Sequence, residues 1–214
     1  MGSGTFRLLL IAICFTAAAV TGYVALQVSS ERPERLAGPL EMTIGAVRLR
    51  VDPAFLPSAG RSSADLELLT AFPDMRPAGA AVNNSKPIQA DTLVVFRIGA
   101  QDLMVDPAER PAKLYARFLS QETWSHPGGL IMRRFEAGSP YDKEDLYLAP
   151  PEGRLFSARC MAPPPTPDGL PNTCVSDFRV GGLDVQMRFS PELLSSWELL
   201  VDRGRALVAS MIRQ

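Results

Sequence analysis

Histidine, cysteine and lysine are scarce in this 214-residue chain, and each scarcity closes off a chemistry. One histidine and three cysteines leave too few nitrogen and sulfur ligands for a zinc site. The single histidine, His126, stands in Ser125-His126-Pro127-Gly128-Gly129, where it could act as a general base toward Ser125 or a distant serine. No G-x-S-x-G elbow or serine-protease signature accompanies it, so a turn residue ahead of a strand is the simpler reading. Excess charge is also missing: 22 basic against 23 acidic residues give a net charge of −1, and no nucleic acid partner is implied. The carboxylates of Asp142, Glu144 and Asp145 lack the alternate spacing and central glycine of a calcium loop and read as a solvated turn. Gly128-Gly129 and Gly181-Gly182 each open an apolar run, but no helix N-terminus follows to hold phosphate. Neither a metal nor any other cofactor is expected.

Nineteen prolines and sixteen glycines argue for many loops and turns and against a helical bundle. Leu8–Val28 stands apart, twenty-one residues without a charge. At about 1.5 Å per residue it spans roughly 31 Å, the thickness of a hydrocarbon core. It reads as a transmembrane helix between a short tail (1–7) and a stiff linker (29–39). A secretory signal cleaved after Ala19 is the competing reading, from Arg7, the run that follows and Ala17-Ala18-Ala19. Phe6 breaks a myristoylation motif, and Ile13 before Cys14 breaks a lipoprotein motif. Ala17, Thr21 and Ala25 recur at helical spacing with Ala18 and Gly22 beside them. Small residues so placed form a candidate helix-association face.

Arg7 marks the short side as cytoplasmic, although Arg32, Arg35 and Arg48 weaken the charge argument. Cys160 and Cys174 help: one pair bracketing a Pro-rich loop fits a disulfide made in an oxidising compartment, with two buried free thiols as the alternative, and places the residues after 30 outside the cytoplasm. Nineteen arginines against three lysines, with abundant alanine, suggest a GC-rich bacterial genome and hence a periplasmic domain.

Residues 40–214 read as an α+β domain, a mostly antiparallel sheet with a long C-terminal helix on one face. Leu40–Val51 alternates as a strand interrupted at Gly45-Ala46, where the phase slips as at a β-bulge or a tight turn. Ser62–Phe72 reads as a short capped helix with Leu66, Leu69 and Phe72 on one side. Met75–Ala90 reads as loop and Thr92–Ile98 as a strand. Residues 106–120 fit both a Pro-opened helix and a strand. Gly129–Phe135, Asp145–Ala149 and Arg154–Met161 read as strands, and Val175–Phe189 as a hairpin about Gly181-Gly182. Ser190, Pro191 and Glu192 open the final helix, with Trp197 expected near the core centre.

Arg133, Arg134, Arg179 and Arg188 fall on expected strands and are candidates for an anion-binding face. No motif names a family. The reading favoured is a non-enzymatic module of the cell envelope, tethered to the inner membrane, that binds a protein partner or a second copy. The alternative is a tethered hydrolase or envelope-modifying enzyme using His126.

Overall fold

Apolar residues at period two dominate the chain after residue 40, and in the computed structural model they become strands. The structure describes residues 38–57, 65–79, 88–162 and 173–213. The expected membrane helix at 8–28, its association face and cleavage site, the linker, and most of the loop between the cysteines lie outside these residues. Among the described residues, no helix is long and apolar enough to cross a membrane.

The strands run β1 (Leu40–Ile44), β2 (Val47–Val51), β3 (Leu66–Ala71), β4 (Arg76–Pro77) and β5 (Leu93–Ala100). There follow β6 (Trp124–His126), β7 (Leu130–Arg134), β8 (Glu144–Leu148), β9 (Ser157–Met161), β10 (Cys174–Val180) and β11 (Leu183–Phe189). The helix α1 (Trp197–Met211) and β12 (Ile212–Arg213) close the chain. Nine strands form one sheet in the order β4-β3-β5-β11-β10-β9-β8-β7-β6, and β1-β2-β12 form a smaller one. Every described pairing is antiparallel. Six consecutive strands, β6 to β11, form a meander, as short hairpin connections favour. Gly181 and Gly182 sit at φ 57° and 81°, the left-handed pair that a tight hairpin turn requires.

One cross-strand row organises the main face. Leu68, Phe96, Met187, Ser176, Ala158, Tyr147, Met132 and Trp124 stand opposite one another from β3 to β6. The first five are buried and the last three only partly so. The helix explains the gradient, because α1 covers the β5–β11 end. Gly204 lets it approach: a Cβ there would lie 3.0 Å from the Phe96 ring and 3.6 Å from the Met187 sulfur. Leu200, Val208 and Met211 of α1 complete this core with Leu49 and Val51 of the small sheet. On the opposite face, a second core of Tyr115, Leu119, Phe135 and Leu146 packs residues 111–119 against β7 and β8.

Cys160 and Cys174 stand directly opposite on β9 and β10 and are joined by a disulfide with a sequence separation of 14. Closing a loop of that length stabilises by about 3 kcal/mol in the chain-entropy model.

Three expectations of local structure need correction. Leu66–Ala71 is a strand, not part of a helix: Leu66, Leu68 and Thr70 alternate inward, and β5 satisfies the backbone along its length. Leucine's helix propensity yields to that pairing. Of the two readings of the slip at Gly45-Ala46, the structure holds the tight turn, which reverses the chain between β1 and β2 with Gly45 at φ 58°. Residues 107–118 are neither a regular helix nor a strand but short 3₁₀ and π turns, broken by Pro107 and Pro111. Finally, Ser190 does not cap through its side chain, which meets Glu192 instead, and a 3₁₀ segment (Pro191–Ser196) precedes α1.

Trp197 is also displaced from its expected place. It is half-buried at the rim, stacked on Phe156 at 5.2 Å with its indole N–H donating to the Gly128 carbonyl. Phe96, fully buried, takes the centre. Phe96→Ala should therefore cost about 3–5 kcal/mol in chemical denaturation, and Trp197→Ala clearly less. Equal losses would contradict this account of the core.

Candidate functional site

The most constructed part of the surface is the loop after β5, and arginine chemistry holds it. Arg179, near the end of β10, faces Asp184 across the β10–β11 hairpin. Its Nε donates to Asp184 Oδ1 at 2.6 Å, and its Nη1 reaches Asp106 Oδ2 at 3.1 Å. Nη2 donates to the Asp102 carbonyl at 2.6 Å. Asp184 in turn accepts from the Asp102 backbone N–H at 2.8 Å. Within the loop, the Met104 N–H donates to Asp102 Oδ1, and the Ala108 N–H to Asp106 Oδ1. These are side-chain turns that short acidic residues make readily.

The charges are tuned by this geometry. Burial pushes the Asp184 carboxyl up, but the hydrogen bonds from Arg179 and from the Asp102 N–H outweigh it and hold it below the ordinary aspartate range. Arg179 is shifted up, chiefly by its hydrogen bond to Asp184. Beside this hub, Arg110 Nη1 pairs with Asp177 Oδ2 at 2.7 Å, tying residues 107–110 to β10.

The network holds two apolar side chains in water: Leu103 is 88 % and Met104 86 % exposed. Next to it a cleft of about 360 Å³ opens between residues 106–108, residues 153–157 and the end of β10. Leu155, on its wall, is 70 % exposed.

The residues singled out from the sequence are dispersed. His126, on edge strand β6, packs edge-on against Tyr147 at 4.9 Å, and its Nδ1 lies 2.9 Å from the Pro127 carbonyl. Among the described residues no hydrogen bond or ion pair joins it to a carboxylate or serine. Of the four arginines, Arg133, Arg179 and Arg188 project from one face of the large sheet and Arg134 from the other. Arg133 and Arg188 share a row but stand four strands apart, roughly 19 Å at the usual strand spacing. Arg133 turns to the Ser120 carbonyl, Arg134 lies over Trp124 at 4.8 Å, and Arg188 reaches Gln186 at 3.3 Å. Only Arg179 belongs to the hub. Of the acidic turn, Glu144 pairs with Arg159 at 2.6 Å, and burial raises the Asp145 carboxyl despite Arg134 nearby. Among the described residues no group of three metal-ligating side chains gathers.

Sequence reasoning missed Asp102, Leu103, Met104, Asp106 and Asp184. The local signal was Asp-Leu-Met-Val-Asp, two turn-forming aspartates enclosing apolar residues.

No family model matches the chain, and no curated protein matches it by sequence. Two solved structures share its fold. One is an immunity protein of the Stenotrophomonas maltophilia type IV secretion system, at 15 % identity and TM-score 0.61, covering 83 % of this chain and 94 % of that one. The other is the Neisseria meningitidis iron-regulated outer membrane lipoprotein FrpD, at 10 % identity and TM-score 0.51, covering 84 % and 95 %. At such identities the likeness defines a shared architecture and nothing finer.

Arg179→Gln should free the loop. Exchange of the Asp102 amide should rise about tenfold or more at neutral pH, as loss of a charged hydrogen bond implies, with the sheet core unchanged. Because the folded carboxyl of Asp184 titrates below its ordinary value, its contribution is complete above pH 3.8. The unsubstituted loop should therefore loosen only under stronger acid. Protection of Asp102 unaffected by Arg179→Gln would contradict the assigned role.

Proposed function

We propose that this chain is a non-catalytic binding module of the bacterial envelope, with residues 8–28 as an inner-membrane anchor. Residues 1–7 lie in the cytoplasm, 29–39 form the linker, and the domain from residue 40 onward works in the periplasm. There it engages a protein partner or a second copy through the end of the sheet that carries the Arg179 hub. One observation carries this reading: Leu103 and Met104 are held out in water on a loop fixed by four hydrogen bonds.

Adjacent exposed apolar side chains on a fixed loop offer surface that a partner can bury, and methionine is enriched where partners pack. Fixing the loop in advance lowers the ordering cost of association. The disulfide supports an oxidising compartment. The neighbours' own descriptions, an immunity protein of a secretion system and an outer membrane lipoprotein, support an envelope setting. His126, packed on Tyr147 at the far end of the sheet, gives the alternative of an enzyme no comparable support.

A photo-crosslinking residue at position 103 of the full chain, activated in native membranes, should give a discrete protein adduct that fades when Arg179→Gln loosens the loop. Adducts from position 124 with none from position 103 would move the binding surface elsewhere.

A further inference from the structure

Five of the fifteen described arginines pair with a carboxylate. Arg97 pairs with Asp65, Arg110 with Asp177, Arg134 with Asp145, Arg159 with Glu144 and Arg179 with Asp184 and Asp106. Two that line the cleft have no such partner. Arg205 of α1 lies over the Phe178 ring at 4.9 Å and donates Nη1 to the Arg179 carbonyl at 3.1 Å, without a carboxylate partner among the described residues. Arg154, exposed on the opposite wall, forms no ion pair among the described residues.

The cleft exists because β10 outruns its neighbour. β9 pairs with Cys174, Val175 and Ser176, while β10 continues to Val180, so its last residues pair with β11 on one side and have no strand on the β9 side. Phe156 and Phe178, both buried, form the floor there, and Leu155 projects from the wall. Asp106 and Asp177 also line the space; Asp177 pairs with Arg110, while Asp106 shares Arg179 with Asp184. The lining itself holds three arginines, Arg154, Arg179 and Arg205, against these two carboxylates. Stacking on Phe178 and bonding to the backbone hold the Arg205 guanidinium in one orientation, which suits it to a two-point grip on a carboxylate.

We propose that the cleft receives an extended segment of a partner protein in which an Asp or Glu lies beside a bulky apolar residue. The carboxylate meets Arg154 and Arg205, and the apolar side chain fills the space over Phe156 and Phe178 beside Leu155. At about 360 Å³ the space holds a few side chains, not a folded domain. This inference rests on the module reading above and names the chemistry of its partner.

The test is selection of a random dodecapeptide library on the full chain in detergent, with Arg154→Glu/Arg205→Glu as counter-target. Enriched peptides should pair Asp or Glu with Leu, Ile or an aromatic residue. A synthetic copy of the leading peptide should bind the double variant at least about tenfold more weakly, and Arg154→Lys/Arg205→Lys should restore part of the loss. Arg154→Glu alone, on an exposed side chain, must shift affinity in the same direction if the double variant unfolds. No enrichment, enrichment without acidic residues, or equal binding to the charge-reversed variants overturns the proposal. Crosslinking from position 103 that persists alongside such a failure leaves the module reading standing.

Discussion

A nine-stranded antiparallel sheet has two faces to keep dry, and this chain has one long helix among its described elements with which to do it. The rest of the structure follows from how that shortage is met. α1 takes the β5–β11 end of one face, with Phe96 against Gly204 as the point of closest approach. The irregular turns of 107–118 take the β7–β8 end of the other face, through Tyr115 against Phe135 at 6.0 Å and Tyr141 at 5.3 Å. Arg159 slots between Tyr115 and Tyr141 and is neutralised by Glu144, so that even a charged strand residue serves as packing.

The two covers leave their edges unlike one another. Where α1 ends its reach, Trp124, Met132 and Tyr147 continue the core row as half-buried residues. Where the second cover begins, residues 106–110 must be tied to the sheet by charge, because Pro107 and Pro111 deny them a regular helix. That tie is made by Arg179 and Arg110. The same bonds that secure the cover also hold Leu103 and Met104 outward and border the cleft, so the proposed binding surface is a by-product of how the second face is closed.

Much of this architecture was written locally. Gly181-Gly182 between two alternating runs specified the β10–β11 hairpin, and the spacing of Leu200, Val201, Val208 and Met211 specified the buried side of α1. Residues 66–71 misled because Leu66, Leu69 and Phe72 fit a helical face as well as Leu66, Leu68 and Thr70 fit a strand. Only the partner strand decides, and that partner, β5, lies some twenty residues on. The site was harder still. Asp102 and Asp184 are 82 residues apart, and Arg179 stands 73 from Asp106, so no spacing in the sequence brings them together. Arg179 was visible as a basic strand residue, but its carboxylate partners were visible only in three dimensions.

The central claim is that the end of the sheet organised by Arg179 is where this protein meets another. It is tested most directly by changing Leu103, Met104 and Leu155 together to Ser in the full chain and purifying it from native membranes after light crosslinking. These side chains carry no core, so the variant should keep its fold and lose the protein that accompanies the unsubstituted chain. A partner retained equally by both forms, or no partner with either, would contradict the account.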